Sequence, residues 1–177
     1  MTAEILQRRA EIERSISGLT VCDLLERTAG DSGEEPAFSD EAQDAPDGWQ
    51  TLTWAQAHQR VQQLAAGFAA LGLAPGERVA LMLPNRREHV LADLAAVFAG
   101  GLGVTFYATL APEQIAFVAG DCDARMAVLA GAAELARWQP VLEQLPGLKK
   151  IIVLDAAACP AGEAYLTWDT LGVARGP

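Results

Sequence analysis

From residue 53 onward, the apolar residues first recur with the period of a helix and then run together as they do in a buried strand. Thr53 and Gln56 have the spacing of a capping box, in which each side chain bonds the backbone amide of the other end. Apolar residues follow at spacings of three and four as far as Leu71, and Gly72 is a typical C-terminal stop. This pattern predicts a helix over 53–71 that packs against a sheet.

Beyond this helix, short apolar runs and amphipathic segments alternate along the chain. We predict strands at 78–83, 104–107, 126–130 and 151–154, and helices at 86–100, 110–120 and 132–145. Strand, helix and strand in that order indicate a parallel sheet with right-handed crossovers. The strands are apolar on both faces, as in strands that helices cover on both sides. The predicted fold class is therefore α/β, a mostly parallel sheet with flanking helices.

The two ends of the chain are less regular. We predict an N-terminal helical extension over 1–19, a short helix capped by Thr20, and a short antiparallel hairpin with strands near 37–39 and 49–52. Seven acidic residues and no basic one lie between Arg27 and Arg60. A cation site would explain this run, but a solvated loop is the favoured interpretation because charge runs usually face water. Thr167-Trp168-Asp169 and Gly176-Pro177 are predicted to form a tail without a regular element.

Charge and cysteine content exclude several classes of protein. The 177 residues carry a net charge of −10 and only two lysines, Lys149 and Lys150, so the clustered cations of a nucleic-acid binder are missing. Three cysteines lie far apart and in odd number, which favours reduced thiols in a cytoplasmic protein. Residues 1–16 contain no apolar core, so they do not resemble a signal peptide. We expect a cytoplasmic location, with peripheral attachment to a membrane left open.

One stretch requires a test for membrane insertion. No charged residue lies between Asp93 and Glu113, and about 20 apolar residues can span a bilayer. Three glycines and two threonines interrupt the stretch. We therefore expect no transmembrane segment, but a buried helix followed by a buried strand.

Motifs that would carry chemistry are missing or out of context. Gly100-Gly101-Leu102-Gly103 stands after a predicted helix and before a strand, the reverse of a dinucleotide fingerprint, so it is read as a tight connection. His58 and His89 lack partners at metal-ligand spacing. Cys122 lies between two aspartates whose negative charge would raise the pKa of a thiol, and it is read as part of a turn. We predict no catalytic, ATP-binding or metal-binding residue in this chain.

Polar side chains at the predicted carboxyl ends of the strands are the remaining candidates. In open parallel sheets, ligands bind beyond these ends. Asn85, Tyr107 and Thr109 lie there, and we predict that they line a cleft or the interface with another domain. The alternative is that they cap the helices that follow, since Asn and Thr favour N-caps.

The order of several short motifs resembles the opening of adenylate-forming enzymes, the AMP-binding superfamily. The matching segments are 51–56 (TLTWAQ), 71–80 (LGLAPGERVA), Pro84-Asn85 and 99–115 (AGGLGVTFYATLAPEQI). The last of these is similar to the long-chain fatty acyl-CoA synthetase branch. Each motif is weak alone, and their order and spacing carry the resemblance over about residues 20–177.

The resemblance implies an ATP-dependent ligase that forms an acyl-adenylate and then an acyl-CoA, with Mg²⁺ assisting. It also implies that residues 20–177 are the N-terminal α/β subdomain and that the chain stops before the phosphate-binding loop. The expected partners are therefore the rest of the ligase chain and a fatty acid substrate. ATP, Mg²⁺ and CoA would serve the full-length enzyme. We expect none of them to bind this fragment, and we expect the fragment alone to be inactive.

Two other interpretations stay open at this point. The chain could be a natural short protein that uses the same fold as a binding or partner subunit, docking a second chain that carries the missing motifs. It could also be an unrelated flavodoxin-like nucleotide or flavin binder. A sheet that lacks its other half should in addition leave an apolar face exposed, and such a face favours self-association.

Overall fold

The structure is a computed structural model that describes residues 2–42 and 45–173, so the predicted tail at Gly176-Pro177 lies outside the described residues. The helices are α1 (Ala3–Ile16), α2 (Val21–Asp31), α3 (Trp54–Ala70), α4 (Arg87–Phe98), α5 (Pro112–Asp121), α6 (Ala132–Trp138) and α7 (Trp168–Val173). The strands are β1 (Pro36–Glu41), β2 (Trp49–Thr53), β3 (Arg78–Met82), β4 (Leu102–Thr105), β5 (Ala124–Leu129), β6 (Lys150–Val153) and β7 (Tyr165–Thr167). Two 3₁₀ helices span Gln139–Gln144 and Ala156–Ala158.

The strands form one parallel sheet and one hairpin, as the apolar pattern predicts. The sheet has five strands in the order β4-β3-β5-β6-β7, and every neighbouring pair is parallel. β1 and β2 pair antiparallel as a separate hairpin. The predicted α/β fold class is therefore confirmed, with one strand more in the sheet than the sequence indicates.

Two apolar layers, one on each face of the sheet, hold the fold together. On one face, Val79, Leu81 and Val128 pack against α3, α4 and α7, and Phe68 of α3 is fully buried there. On the other face, Met82 and Leu129 pack in a second cluster that includes residues of α5 and α6. Alternate residues of β3 and β5 thus enter opposite layers, which explains why these strands are apolar throughout.

Capping signals place the starts of α2 and α3 correctly, whereas α5 begins at Pro112, two residues later than predicted. The Thr53 side chain accepts a hydrogen bond from the Gln56 amide at 3.3 Å, and the Gln56 side chain accepts from the Thr53 amide at 3.0 Å. Thr20 caps α2 through the same reciprocal pair with Asp23. Gly100 adopts a φ of 81°, which suits a glycine in the tight connection from α4 to β4.

The structure corrects three predictions. β4 begins two residues earlier than expected, and it is a half-exposed edge strand rather than a buried one. The helix predicted over 132–145 ends at Trp138 and continues as a 3₁₀ helix, because Pro140 has no amide hydrogen for the α-helical bond. The predicted tail at Thr167-Trp168-Asp169 is the end of β7 and the start of α7.

The uncharged stretch between Asp93 and Glu113 contains the end of α4, the strand β4 and the start of α5. Among the described residues, no helix combines the length and the apolar character that crossing a bilayer requires.

Candidate functional site

The carboxyl ends of β3 and β4 bring the three predicted site residues to the same edge of the sheet. Asn85 follows β3 and is exposed, and Tyr107 and Thr109 follow β4 with Tyr107 77% exposed. None of the three caps a helix. The N-cap of α4 is Arg86, and the N-cap of α5 is Ala111, whose amide bonds the Gln114 side chain at 2.9 Å. The capping alternative is therefore wrong, and a role in lining a cleft or an interface stays a prediction.

Asn85 lines an open cleft of about 480 Å³ between the β1–β2 hairpin and the loop that follows β3. Pro84, Asn85 and Arg86 form one wall. The other wall comes from the hairpin and consists of Ser39, Asp40, Glu41 and Trp49. A volume of this order fits a small molecule or a protein side chain. Tyr107 and Thr109 do not line this cleft, so the structure brings only one of the three predicted residues to it.

Arg87 holds the hairpin against the start of α4. Its backbone amide donates to the Asp40 carboxylate at 3.1 Å, and its guanidinium Nε lies 3.5 Å from the same carboxylate. The guanidinium also donates to the Gln50 carbonyl at 3.3 Å and to the Gln50 side chain. The planar group can bond several acceptors at once, which a lysine cannot do with the same geometry. Arg87 therefore fixes the hairpin wall of the cleft.

Glu88 completes the charge network beneath the cleft. Its carboxylate accepts from Arg86 Nε at 2.5 Å and from Arg87 Nε at 3.4 Å, and the residue is buried. Burial by itself would raise the pKa of Glu88, but the Arg86 hydrogen bond, the backbone amide and the two guanidinium charges together lower that pKa below its ordinary value. The bond to Glu88 in turn raises the pKa of Arg86. Both groups therefore stay charged near neutral pH.

Sequence reasoning missed this network, because its members lie far apart along the chain. Asp40 belongs to the acidic run that was interpreted as a solvated loop, yet Asp40 is half-buried and bonded to Arg87. The Arg86-Arg87-Glu88 triplet directly after Pro84-Asn85 was an available signal, since charges at the carboxyl end of a strand need partners. The hairpin that provides those partners becomes a neighbour only in the folded chain.

The histidines and Cys122 have structural surroundings. His89 Nε2 lies 3.1 Å from Thr105 Oγ1 and joins α4 to β4. His58 is half-buried, and its ring meets the Phe98 ring edge-on at 6.0 Å. Burial raises the pKa of the Cys122 thiol, Arg78 opposes that change, and Asp121 adds a smaller increase. Cys122 and Asp123 form the turn expected from the sequence, with Asp123 at a φ of 49°.

The cations near the cleft do not provide a ready site for ATP and Mg²⁺. A triphosphate needs several unpaired cations or amide donors at one place. Lys149 and Lys150 lie at the amino end of β6, on the opposite edge from the cleft, and Lys150 Nζ donates to the Glu163 carbonyl at 2.6 Å. Arg86 and Arg87 at the cleft are already paired with carboxylates. Within 2–42 and 45–173, no group of three or more His, Cys, Asp or Glu side chains could hold a metal ion.

Curated relatives cover much of this chain. Over 138 residues it is 31% identical to the long-chain-fatty-acid–CoA ligase ACSBG2 of Xenopus laevis, a match that spans 78% of this chain and 18% of that protein. It is 32% identical over 123 residues to an uncharacterised protein of Mycobacterium tuberculosis, a match that spans 70% of this chain and 67% of that protein. The chain thus spans less than a fifth of the length of the ligase, but two thirds of the length of the mycobacterial protein.

Solved structures share the fold. A crystal structure of the anthranilate CoA ligase AuaEII in complex with anthranoyl-AMP superposes with a TM-score of 0.74 at 23% identity, over 88% of this chain and 28% of that one. Acetoacetyl-CoA synthetase from Streptomyces lividans gives the same TM-score at 25% identity, over 88% of this chain and 25% of that one. The family model described as AMP-binding enzyme matches residues 25–172. This match argues against the alternative that the chain is an unrelated flavodoxin-like binder. The chain therefore belongs to the AMP-binding enzyme family.

Proposed function

We propose that this chain provides the N-terminal α/β layer of an acid–thiol ligase that activates a long-chain fatty acid with ATP and transfers it to CoA. The family match over residues 25–172 carries the proposal, and the similarity to a long-chain-fatty-acid–CoA ligase favours that substrate class. ATP, Mg²⁺ and CoA would bind mainly to the remaining segments of such an enzyme. We expect this chain alone to be inactive, because the arginines at its cleft are already paired with carboxylates.

Within this proposal, residues 20–177 form the ligase subdomain and residues 1–19 form a helical extension. Every described residue of α1 is exposed, which supports its separation from the packed layers. Asn85 would line the cleft, and Tyr107 and Thr109 would meet the segments that complete the enzyme. Such an enzyme would act in the cytoplasm, with peripheral contact to a membrane where its acyl substrate partitions.

Pyrophosphate release tests the proposed chemistry. The enzyme completed with the missing segments should release pyrophosphate from ATP in the presence of palmitate, Mg²⁺ and CoA, and should form palmitoyl-CoA. Anthranilate and acetoacetate are the matched controls, because the solved neighbours reported above are named as ligases of these acids. A preference for one of these acids would contradict the fatty acid assignment but retain the ligase assignment. Loss of all acid-dependent pyrophosphate release would contradict both.

A second candidate function is a stand-alone subunit that docks a companion chain carrying the missing motifs. The mycobacterial relative favours it, because 123 matched residues make up 67% of that protein and it is therefore itself short. Co-purification separates the two candidates. A companion chain encoded separately and recovered with this one, with ligase activity only in the mixture, would support the subunit. Continuation of the same reading frame into a glycine-rich loop with a lysine would support the single-chain ligase.

A further inference from the structure

The outer edge of β4 is open for pairing. β4 pairs only with β3 among residues 2–42 and 45–173. The Leu102 amide donates to the Glu77 carbonyl at 2.9 Å and the Phe106 amide donates to the Leu81 carbonyl at 2.8 Å, so this set of backbone groups faces β3. Because backbone groups alternate along a strand, the amides and carbonyls of Gly103 and Thr105 face away from the sheet.

This edge has few of the features that usually prevent strand pairing. Edge strands are commonly protected by charged side chains, proline, a bulge or a covering element. No charged residue occurs between Asp93 and Glu113, so β4 itself is neutral, and its pairing with β3 has no bulge. The Leu102 side chain is 53% exposed at the start of the strand. The short length of β4, four residues, is the main protection against strand pairing that remains.

We propose that the outer edge of β4 is an interface at which two copies of this chain pair antiparallel about a two-fold axis at Val104. In this register Gly103 lies opposite Thr105 of the second copy. The two outward-facing residues of each strand then exchange four amide–carbonyl hydrogen bonds across the axis. The result is one continuous sheet of ten strands with a symmetric, closed contact.

The side chains on both faces of the pair are self-complementary. On the α5 face, Val104 lies opposite its own copy, so apolar side chains meet at the axis, whereas Phe106 follows the end of β4 and stays buried within its own copy. On the α4 face, Thr105 of the second copy lies opposite Gly103, and the Asp93 carboxylate fills the space beside this glycine. The Thr105 hydroxyl bonds His89, whereas the Asp93 carboxylate covers Gly103 so closely that a Cβ there would overlap it. The His89 imidazole of one copy therefore approaches the Asp93 carboxylate of the other across the two-fold axis, and like charges do not face each other.

A second copy is favoured over an arbitrary partner because the register is symmetric and neutral. Two chains of net charge −10 repel each other at most of their surface, and β4 lies in the longest uncharged part of the described chain. The contact is small, so the dimer is expected to be weak, in the class of transient interfaces. This inference does not depend on the ligase chemistry.

Sedimentation of the chain from about 10 μM to about 1 mM tests the interface, since weak contacts form in this range. Thr105→Pro removes the outward amide together with the hydroxyl that bonds His89, and it leaves the bonds to β3 intact. Thr105→Val is the matched control, because it keeps the amide and loses only the hydroxyl that bonds His89. Leu102→Lys is a second variant at an exposed position, and it adds the charge that edge strands normally carry.

The wild-type chain and Thr105→Val should dimerise, whereas Thr105→Pro and Leu102→Lys should weaken the dimer by about tenfold or more. Amide exchange gives a readout without any substitution. Gly103 and Thr105 amides should exchange fast in the monomer and become protected at high concentration, while Leu102, Val104 and Phe106 stay protected throughout. A wild-type monomer at all concentrations would overturn the proposal and leave the edge to a strand of another chain. A dimer that Thr105→Pro and Leu102→Lys do not weaken would overturn it as well.

Discussion

Phe68 and Phe117 form a pair that tests the packing of the fold with one residue type. Phe68 of α3 is 0% exposed in the layer between the helices and the sheet, whereas Phe117 of α5 is 73% exposed. Replacing Phe68 by Ala removes a buried ring and leaves a cavity among side chains that cannot close it completely. Replacing Phe117 by Ala removes a ring that mostly contacts water.

Truncation of a fully buried phenylalanine costs about 3–5 kcal/mol. Surface substitutions stay within about 0.5 kcal/mol. The free energy of unfolding of a domain is about 5–15 kcal/mol, so the change at Phe68 is a large part of the total. At this chain length each kcal/mol shifts Tm by about 2–4 °C, which gives a decrease of about 6–20 °C for Phe68→Ala.

Urea unfolding followed by circular dichroism, together with thermal melts, measures both variants under the same conditions. Phe68→Ala should lower the urea midpoint with little change in slope, and Phe117→Ala should leave both unchanged. Equal midpoints for Phe68→Ala and the wild-type chain would refute the burial of this ring. A large loss in Phe117→Ala would show that α5 has a covering partner in solution.

Three further predictions concern the close approaches and the charge network. Gly67→Ala should destabilise the fold and expose α7 to proteolysis, because a Cβ at Gly67 would overlap the Leu171 carbonyl. Its control is Gly120→Ala on α5, where a Cβ would meet no atom, so this change should be neutral or stabilising by up to about 1 kcal/mol. The pKa of the Glu88 carboxyl lies below its ordinary value near 4.5, so the charged carboxylate stabilises the fold above that pH, and this stabilisation is lost as the pH falls and the group takes up a proton. Glu88→Gln should therefore flatten the decline of the urea midpoint below about pH 5. Arg87→Lys should lower the free energy of unfolding by about 1–3 kcal/mol and change Trp49 fluorescence, whereas Arg27→Lys on the exposed side of α2 should do neither. An unchanged melt for Gly67→Ala, an unchanged pH profile for Glu88→Gln, or equal effects of the two lysine variants would each contradict the contact concerned.

Elements with strong local signals could be predicted from the sequence. The capping box at Thr53 and Gln56 fixes the start of α3, and Pro112 in the first turn marks the start of α5. Buried strands such as β3 and β5 are apolar on both faces because helices cover both, and that property is visible in the sequence.

The elements that were missed depend on tertiary contacts. β7 has three residues and forms because β6 lies beside it, while α7 is held by Trp168 and Leu171 against α3. Arg60 also lies over the Trp168 ring, 5.7 Å from its centroid. β4 was placed two residues late because Gly103 suggested a loop, whereas here a glycine in the strand leaves space for Asp93.

The candidate site was predictable only in part. The rule that ligands bind beyond the carboxyl ends of parallel strands singled out Asn85, which lies in the wall of a cleft, and its functional role stays a prediction. The residues that shape this cleft, Asp40, Trp49 and Arg87, come from segments almost fifty residues apart. No local pattern links a hairpin to a helix start, so this part of the site follows only from the fold.

The decisive measurement is pyrophosphate release with palmitate, ATP, Mg²⁺ and CoA, made on this chain alone and on a ligase in which the other family segments are supplied. We expect no release above the enzyme-free blank for the chain alone, and palmitoyl-CoA formation when the other segments are supplied on the same or a second chain. Turnover by the chain alone, or no acid-dependent turnover by the combination, would contradict this expectation.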